Sequence, residues 1–154
     1  MKSFPEKNLN LVQIFWNRVF RCQNRQALLY KDKISGRYFS ISWSQWAECV
    51  KQTALALYTV GVRKGDRVSI LSENRPEWTF ADLGILSLGA VTVPIYPTSS
   101  PAEIGYVLQN ASVKVLFVST PEQLHKVQGF TKESSPIKKI ILFTLAATTG
   151  VAAL

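Results

Sequence analysis

Histidine occurs once, as His125, cysteine twice, as Cys22 and Cys49, and methionine once in 154 residues. Metal and dithiol chemistry therefore lack sequence support, because neither cysteine belongs to a CxxC pair or stands near His125. Two reduced thiols in a cytosolic protein are the expectation. A nucleophile–histidine relay is equally unsupported, since the sequence sets no Ser or Cys nucleophile beside His125, which reads as a surface residue. The N-terminal stretch MKSFPEKNLNLVQIFWNRVF carries no signal-peptide pattern: Glu6 and Lys7 precede an amphipathic run, and no small-residue cleavage site follows. The expected location is cytoplasmic. Leu11, Ile14, Phe15 and Val19 make one helix face, with Trp16 and Phe20 beside it; such a face packs on a core or lies on a bilayer surface.

Acidic residues are also scarce, 10 against 18 Lys and Arg, for a net charge of +8. That excess invites a polyanion-binding reading, because clustered cations gain affinity by releasing counterions. Clusters are missing along the chain. Lys31 and Lys33, Arg63, Lys64 and Arg67, and Lys138 and Lys139 fall at separate turns and strand starts, with no basic helix face and no zinc-ligand pattern. A solvated surface is expected, and no nucleic-acid partner.

What is present is the composition of a folded chain, 47% hydrophobic and 18% charged, long enough for one domain with a sizeable core. Residues 61–98, GVRKGDRVSILSENRPEWTFADLGILSLGAVTVPIYPT, carry the most information. Gly61 can take the left-handed conformation that ends a helix, and Lys64, Gly65 and Asp66 supply a turn. Arg67 to Leu71 reads as a strand. Asn74 is the expected cap of a helix from Pro76 to Leu88, with Glu77 in its first turn. Trp78, Ala81, Leu83, Ile85, Leu86 and Leu88 cover most of its circumference, so it is expected between layers. Gly89 closes it before a strand from Ala90 to Ile95, which makes a βαβ unit and a parallel sheet. Asp82, inside this helix, reads as a hydrogen-bonded carboxylate between layers.

The remainder alternates in the same α/β manner. Gln26 to Lys31 and Arg37 to Ser42 read as a hairpin about a turn at Asp32 to Gly36. Ser42 with Gln45 fits a capping box for a helix reaching Val60, Ser44 being the other candidate cap. Pro101 starts a helix ending at Asn110, with Glu103 in its first turn and Ile104, Val107 and Leu108 on one face. Lys114 to Ser119 reads as a buried strand, Pro121 to Gln128 as a short helix and Ile137 to Phe143 as a last strand. The expected organisation is a helix, hairpin and helix layer over residues 1–60, an α/β sheet layer over 67–143 and an atypical apolar tail over 144–154.

ENRPEW together with VPIYPT resembles the AMP-forming acyl-adenylate synthetases (AMP-binding enzymes), and within them the long-chain fatty acyl-CoA synthetases. NLVQIF and GRYFSISWSQWAE upstream, and VPIYPTSSPAEIGYVLQN downstream, extend the resemblance over residues 10–143. It implies that residues 1–154 are the N-terminal portion of the family's large adenylation domain. For the full-length family it implies ATP, Mg2+ and CoA as cofactors and a fatty acid as substrate, joined first to AMP and then to CoA. Under this resemblance Trp43, Trp46, Trp78 and Tyr96 become candidates to line an acyl channel, with an ordinary core role as the alternative.

Holding a triphosphate requires a Ser/Thr/Gly-rich loop with backbone amides and a Lys, a divalent ion, and groups that fix adenine and ribose. The family's loop reads like SGTTGxPKG. Ala147, Thr148, Thr149 and Gly150 resemble only its TTG centre: Ala147 replaces a glycine, and Val151, Ala152 and Ala153 supply none of the Pro, Lys and Gly that complete the loop. No catalytic, cofactor-binding or metal-binding residue is therefore assigned, and no cofactor is expected for this fragment. The tail TLAATTGVAAL, with Ile140 to Phe143, is apolar but shorter than the roughly 20 residues of a spanning helix. It reads as a frameshifted or truncated end, with a membrane anchor flanked by Lys138 and Lys139 as the rival. Two alternatives to an inactive fragment of a long-chain fatty acid–CoA ligase stay open: a non-catalytic module that pairs with a full-length synthetase, and a fragment in peripheral contact with a membrane.

Overall fold

A capping box opens the first helix: Asn10 and Gln13 each accept a hydrogen bond from the other's backbone amide, and α1 follows over Leu11–Cys22. The structure, a computed structural model, describes residues 9–32, 35–130 and 136–143. The tail readings for residues 144–154 lie outside the described residues. β1 (Gln26–Lys31) and β2 (Tyr38–Ser42) pair antiparallel, and Ser42 with Gln45 forms the expected capping box of α2 (Trp43–Thr59). Then come β3 (Arg67–Leu71), α3 (Pro76–Ser87), β4 (Val91–Ile95), α4 (Pro101–Asn110), β5 (Val115–Val118), α5 (Pro121–Val127), a 3-10 turn at Gln128–Phe130 and β6 (Lys139–Leu142). Gly61 and Gly89 take the left-handed conformation, at φ 90° and 66°.

Asn74 is not the cap of α3. The N-cap is Arg75, extended at φ −157° and ψ 159°, without a side-chain capping bond. Pro76 at the first helical position keeps the residue before it out of the helical region, and its missing amide needs no acceptor. The proline ring thus sets the boundary in place of a cap.

The four later strands are all parallel, in the order β4-β3-β5-β6. Alternation along them divides two cores. Val68, Ile70, Val115 and Phe117 face Leu57 of α2 and Ala81 and Ile85 of α3. Leu71, Leu116 and Val118 face Ile104 and Leu108 of α4 and Val127 of α5. Helices therefore cover both faces, as strands with apolar side chains on both sides require. Burying each of these large aliphatic side chains stabilises the fold by about 1.5–3 kcal/mol. A third cluster of Phe15, Ala47, Val50 and Leu83 fastens α1 to α2 and α3. α2 thus belongs to two cores and joins the N-terminal part to the sheet.

Candidate functional site at the carboxyl edge of the sheet

Winding direction reverses at β3. α3 carries the chain to β4 on one side, and α4 carries it back past β3 to β5 on the other. In open parallel sheets, ligands bind beyond the carboxyl ends of the strands at such a switch point. A cleft of about 510 Å³ opens there beside β3 and β4, with Glu73, Asn74, Trp78, Ile95, Tyr96 and Pro97 in its lining. Tyr96 is 81% exposed.

Polar side chains brace the loops of this edge. Arg75 makes a two-point ion pair with Glu77, Nε to Oε2 at 2.8 Å and Nη2 to Oε1 at 3.1 Å, and donates from Nη1 to Ser119 O at 3.1 Å. The hydrogen bond to Glu77 raises the Arg75 pKa, prevailing over burial, so the guanidinium stays charged. Gln123 donates from Nε2 to Pro97 O at 3.2 Å and to Glu73 Oε1 at 3.4 Å. Lys126 Nζ donates to Pro97 O at 2.6 Å and Ser99 O at 3.3 Å. Gln123 Oε1 and Ser119 Oγ are buried without a hydrogen-bond partner among the described residues.

The edge is thus a braced, partly aromatic cleft. Arg75 and Lys126 are taken up by protein acceptors, and no group of three or more His, Cys, Asp or Glu able to hold a metal ion occurs among the described residues.

The aromatic candidates separate into two sets. Trp78 and Tyr96 line the cleft, whereas Trp43 and Trp46 stack at 5.4 Å and pack with Phe15 in the α1–α2 cluster. Asp82 accepts from Thr92 Oγ1 at 2.7 Å, tying α3 to β4. His125 is exposed on α5. Cys22 and Cys49 are half-buried free thiols, and burial pushes the Cys49 pKa up. Arg75, Ser119 and Gln123 escape a reading by sequence, because their partners lie up to 50 residues away. The one available signal is a polar residue closing each apolar strand, Ser72 after β3 and Ser119 after β5. Arg18 and Arg21 are both exposed on α1. Three residues apart, they share a face that the intervening Val19 and Phe20 disguise in the linear sequence.

Residues 15–152 match the family model described as AMP-binding enzyme. The chain belongs to the AMP-binding enzyme family. This AMP-binding chain is 35% identical over 114 residues to the long-chain-fatty-acid–CoA ligase FadD15 of Mycobacterium bovis, covering 74% of the chain and 19% of that protein. It is 32% identical over 117 residues to the long-chain-fatty-acid–CoA ligase heimdall of Drosophila melanogaster, covering 75% of the chain and 17% of that protein. It spans about a fifth of the length of the curated relatives it matches. The anthranilate CoA ligase AuaEII, solved in complex with anthranoyl-AMP, matches with a TM-score of 0.78 at 28% identity, over 93% of this chain and 27% of its own. A fatty acyl CoA synthetase of Mycobacterium tuberculosis matches with a TM-score of 0.75 at 23% identity, over 87% and 26%, a likeness of fold alone. The architecture is that of the N-terminal part of the adenylate-forming domain. Among the described residues, no helix is long and apolar enough to cross a membrane.

Proposed function

We propose that the chain forms the N-terminal part of the adenylation domain of a long-chain fatty acid–CoA ligase. In that enzyme the fatty-acid carboxylate is joined to AMP at the expense of ATP, releasing pyrophosphate. The CoA thiol then takes the acyl group and expels AMP, leaving a thioester. Similarity to long-chain-fatty-acid–CoA ligases over 74% of the chain carries this reading. The placement of ENRPEW and VPIYPT at one cleft supports it: Trp78 of the first and Tyr96 of the second both line that cleft.

The contribution of these residues is a scaffold. α3 is buried between α2 and β3, and the Arg75, Gln123 and Lys126 bonds hold the loops at the carboxyl edge against one another. The TTG-like stretch Ala147 to Gly150 has no lysine after it to grip a triphosphate, so the chain alone is proposed to be catalytically silent. Purified chain given fatty acid, MgATP and CoA should release no pyrophosphate in response to the fatty acid, and robust turnover would refute the silence. The ligase reading is tested separately by the DNA immediately downstream, read in all three frames. A frame coding an SGTTGxPKG-like loop supports it, and the lack of one in every frame counts against it.

A further inference from the structure

Parallel strands all begin at one edge of a sheet, and there the topology gathers cations that lie far apart in the sequence. Arg67 opens β3, Lys114 immediately precedes β5, and Lys138 and Lys139 stand at the start of β6. The Lys114 amide donates to Arg67 O at 2.9 Å and the Lys138 amide to Lys114 O at 2.8 Å, so these residues occupy neighbouring strands at one level. Arg63 and Lys64 join them from the turn before β3, where the Gly65 amide donates to Gly89 O at 2.9 Å. Acidic residues of the same layer collect at the opposite edge: Glu73 follows β3, and Glu77, Glu103 and Glu122 lie in the first turns of α3, α4 and α5.

Part of this charge has an internal task. Arg63 donates from Nη1 to Tyr58 O at 2.8 Å, Arg67 from Nε to Ala111 O at 2.7 Å, and Lys114 pairs with Asp66, so cations meet the carbonyl ends of α2 and α4. Each helix end offsets about half an elementary charge, and Asp66 offsets one, which leaves the six cations in excess. Asp82, on the flank of this edge, is bonded to Thr92. Lys64, Lys138 and Lys139 are exposed and make no ion pair among the described residues. Two exposed apolar groups share the edge: Tyr58, whose ring centroid lies 3.9 Å from Arg63 Cζ, and Val91, the register partner of Arg67. Cations spread over three strands and a turn meet several phosphates at once. A duplex nucleic acid would neutralise them and leave Val91 and the Tyr58 ring in water, whereas the headgroup level of a bilayer receives both phosphate-seeking cations and an amphipathic ring. From this complementarity we propose that the amino edge of the sheet docks on a bilayer surface bearing anionic phospholipid headgroups, a proposal independent of the ligase reading.

The test is sedimentation of the full chain with vesicles of phosphatidylcholine, with and without phosphatidylglycerol. The wild-type chain should sediment with the anionic vesicles, release at high salt, and stay in the supernatant with the neutral ones. Lys64→Gln/Lys138→Gln/Lys139→Gln should weaken partitioning by about 150-fold, from the contribution expected of three basic side chains at an anionic surface. Arg18→Gln/Lys31→Gln/Arg37→Gln removes the same charge from exposed positions of α1 and the hairpin. It should weaken partitioning far less, because salt screens charges more than about 10 Å from the headgroups. Both variants should keep the wild-type circular dichroism, since these side chains face solvent. Equal losses in the two triple variants would overturn the proposal by reducing the binding to net charge alone. Equal binding to neutral vesicles, or no sedimentation with either vesicle, would overturn it too, as would retention on duplex DNA at a salt concentration that releases the vesicles.

Discussion

Lys114 Nζ stands 2.7 Å from Asp66 Oδ2 and 2.5 Å from Gly61 O, tying the entrance of β5 to the turn before β3. The ion pair links positions 48 residues apart, and both side chains are mostly shielded, at 21% and 27% exposure. Lys114→Met keeps the aliphatic stem while leaving a carboxylate and a carbonyl without their donor. The expected cost is about 1–2 kcal/mol, read as a lower urea midpoint at neutral pH. An unchanged midpoint would mean that solvent replaces the ammonium without loss.

The same pair gives the fold an acid limit. The Lys114 hydrogen bond, foremost, holds the Asp66 carboxyl below its ordinary pKa, with the Arg63 amide adding a bond at 2.7 Å. A depressed folded-state pKa means that the unfolded chain takes up the proton first. The stabilisation is therefore complete above the unfolded aspartate value of about 3.9 and is lost as pH falls through the folded value. Urea midpoints followed downward from neutral pH should fall less steeply on the acid side in Lys114→Met than in the wild type. Parallel acid limbs would show that other carboxylates govern that limit.

Gly84 marks the closest approach of α2 and α3. A Cβ there would meet Thr53 Cγ2 at 2.7 Å and Thr53 Cβ at 2.9 Å. Gly84→Ala would normally favour a helix, yet here the two helices must part. The expected result is a destabilisation of about 1–3 kcal/mol. Thr53→Ser removes the nearer contact and keeps the Oγ1 bond to Cys49 O, so the double variant should recover part of that loss. A Gly84→Ala protein as stable as the wild type would show that the interface yields.

These features mark where sequence reading succeeds and where it stops. The βαβ unit is legible because its information is local: Gly61, Pro76 and Gly89 punctuate it, and strands such as Val115–Val118 are apolar on both faces. Capping boxes are legible for the same reason, as Ser42 and Gln45 show. Gly84 is not, because a glycine inside a helix reads the same whether it faces water or Thr53. Nor is the brace at the carboxyl edge, where Arg75 reaches Ser119 across 44 residues. Asn74 misleads, since its capping chemistry is sound but the helix starts at Pro76 as expected, which leaves Arg75 as the N-cap. The cleft itself follows from strand order, which the order of elements along the chain leaves open until α4 is seen to cross back over β3.

Gln123 offers a sharper test of that edge, because its two amide atoms have unequal surroundings. Only 7% exposed, it donates to Pro97 O and Glu73 Oε1, while its Oε1 is buried without a partner among the described residues. Gln123→Met removes both donor bonds together with the unpartnered oxygen, and Lys126 still donates to Pro97 O. Its cost should stay within about 1 kcal/mol, because deleting an unsatisfied acceptor offsets much of the lost bonding. Gln123→Glu nearly preserves the shape but turns the donor, 3.4 Å from Glu73 Oε1, into a second carboxylate. At neutral pH that should cost about 2–4 kcal/mol, the effect of an uncompensated charge in a shielded place. Protonation of the close pair relieves the repulsion, so the folded-state pKa is raised and the folded chain binds the extra proton first. The deficit relative to wild type should therefore narrow as pH falls from neutral through that raised value toward the ordinary glutamate value of about 4.3. Urea unfolding of both variants at neutral and mildly acidic pH decides the matter. A glutamate variant no weaker than the methionine variant would mean that water reaches the Gln123 amide and that the edge is looser than its hydrogen bonds imply.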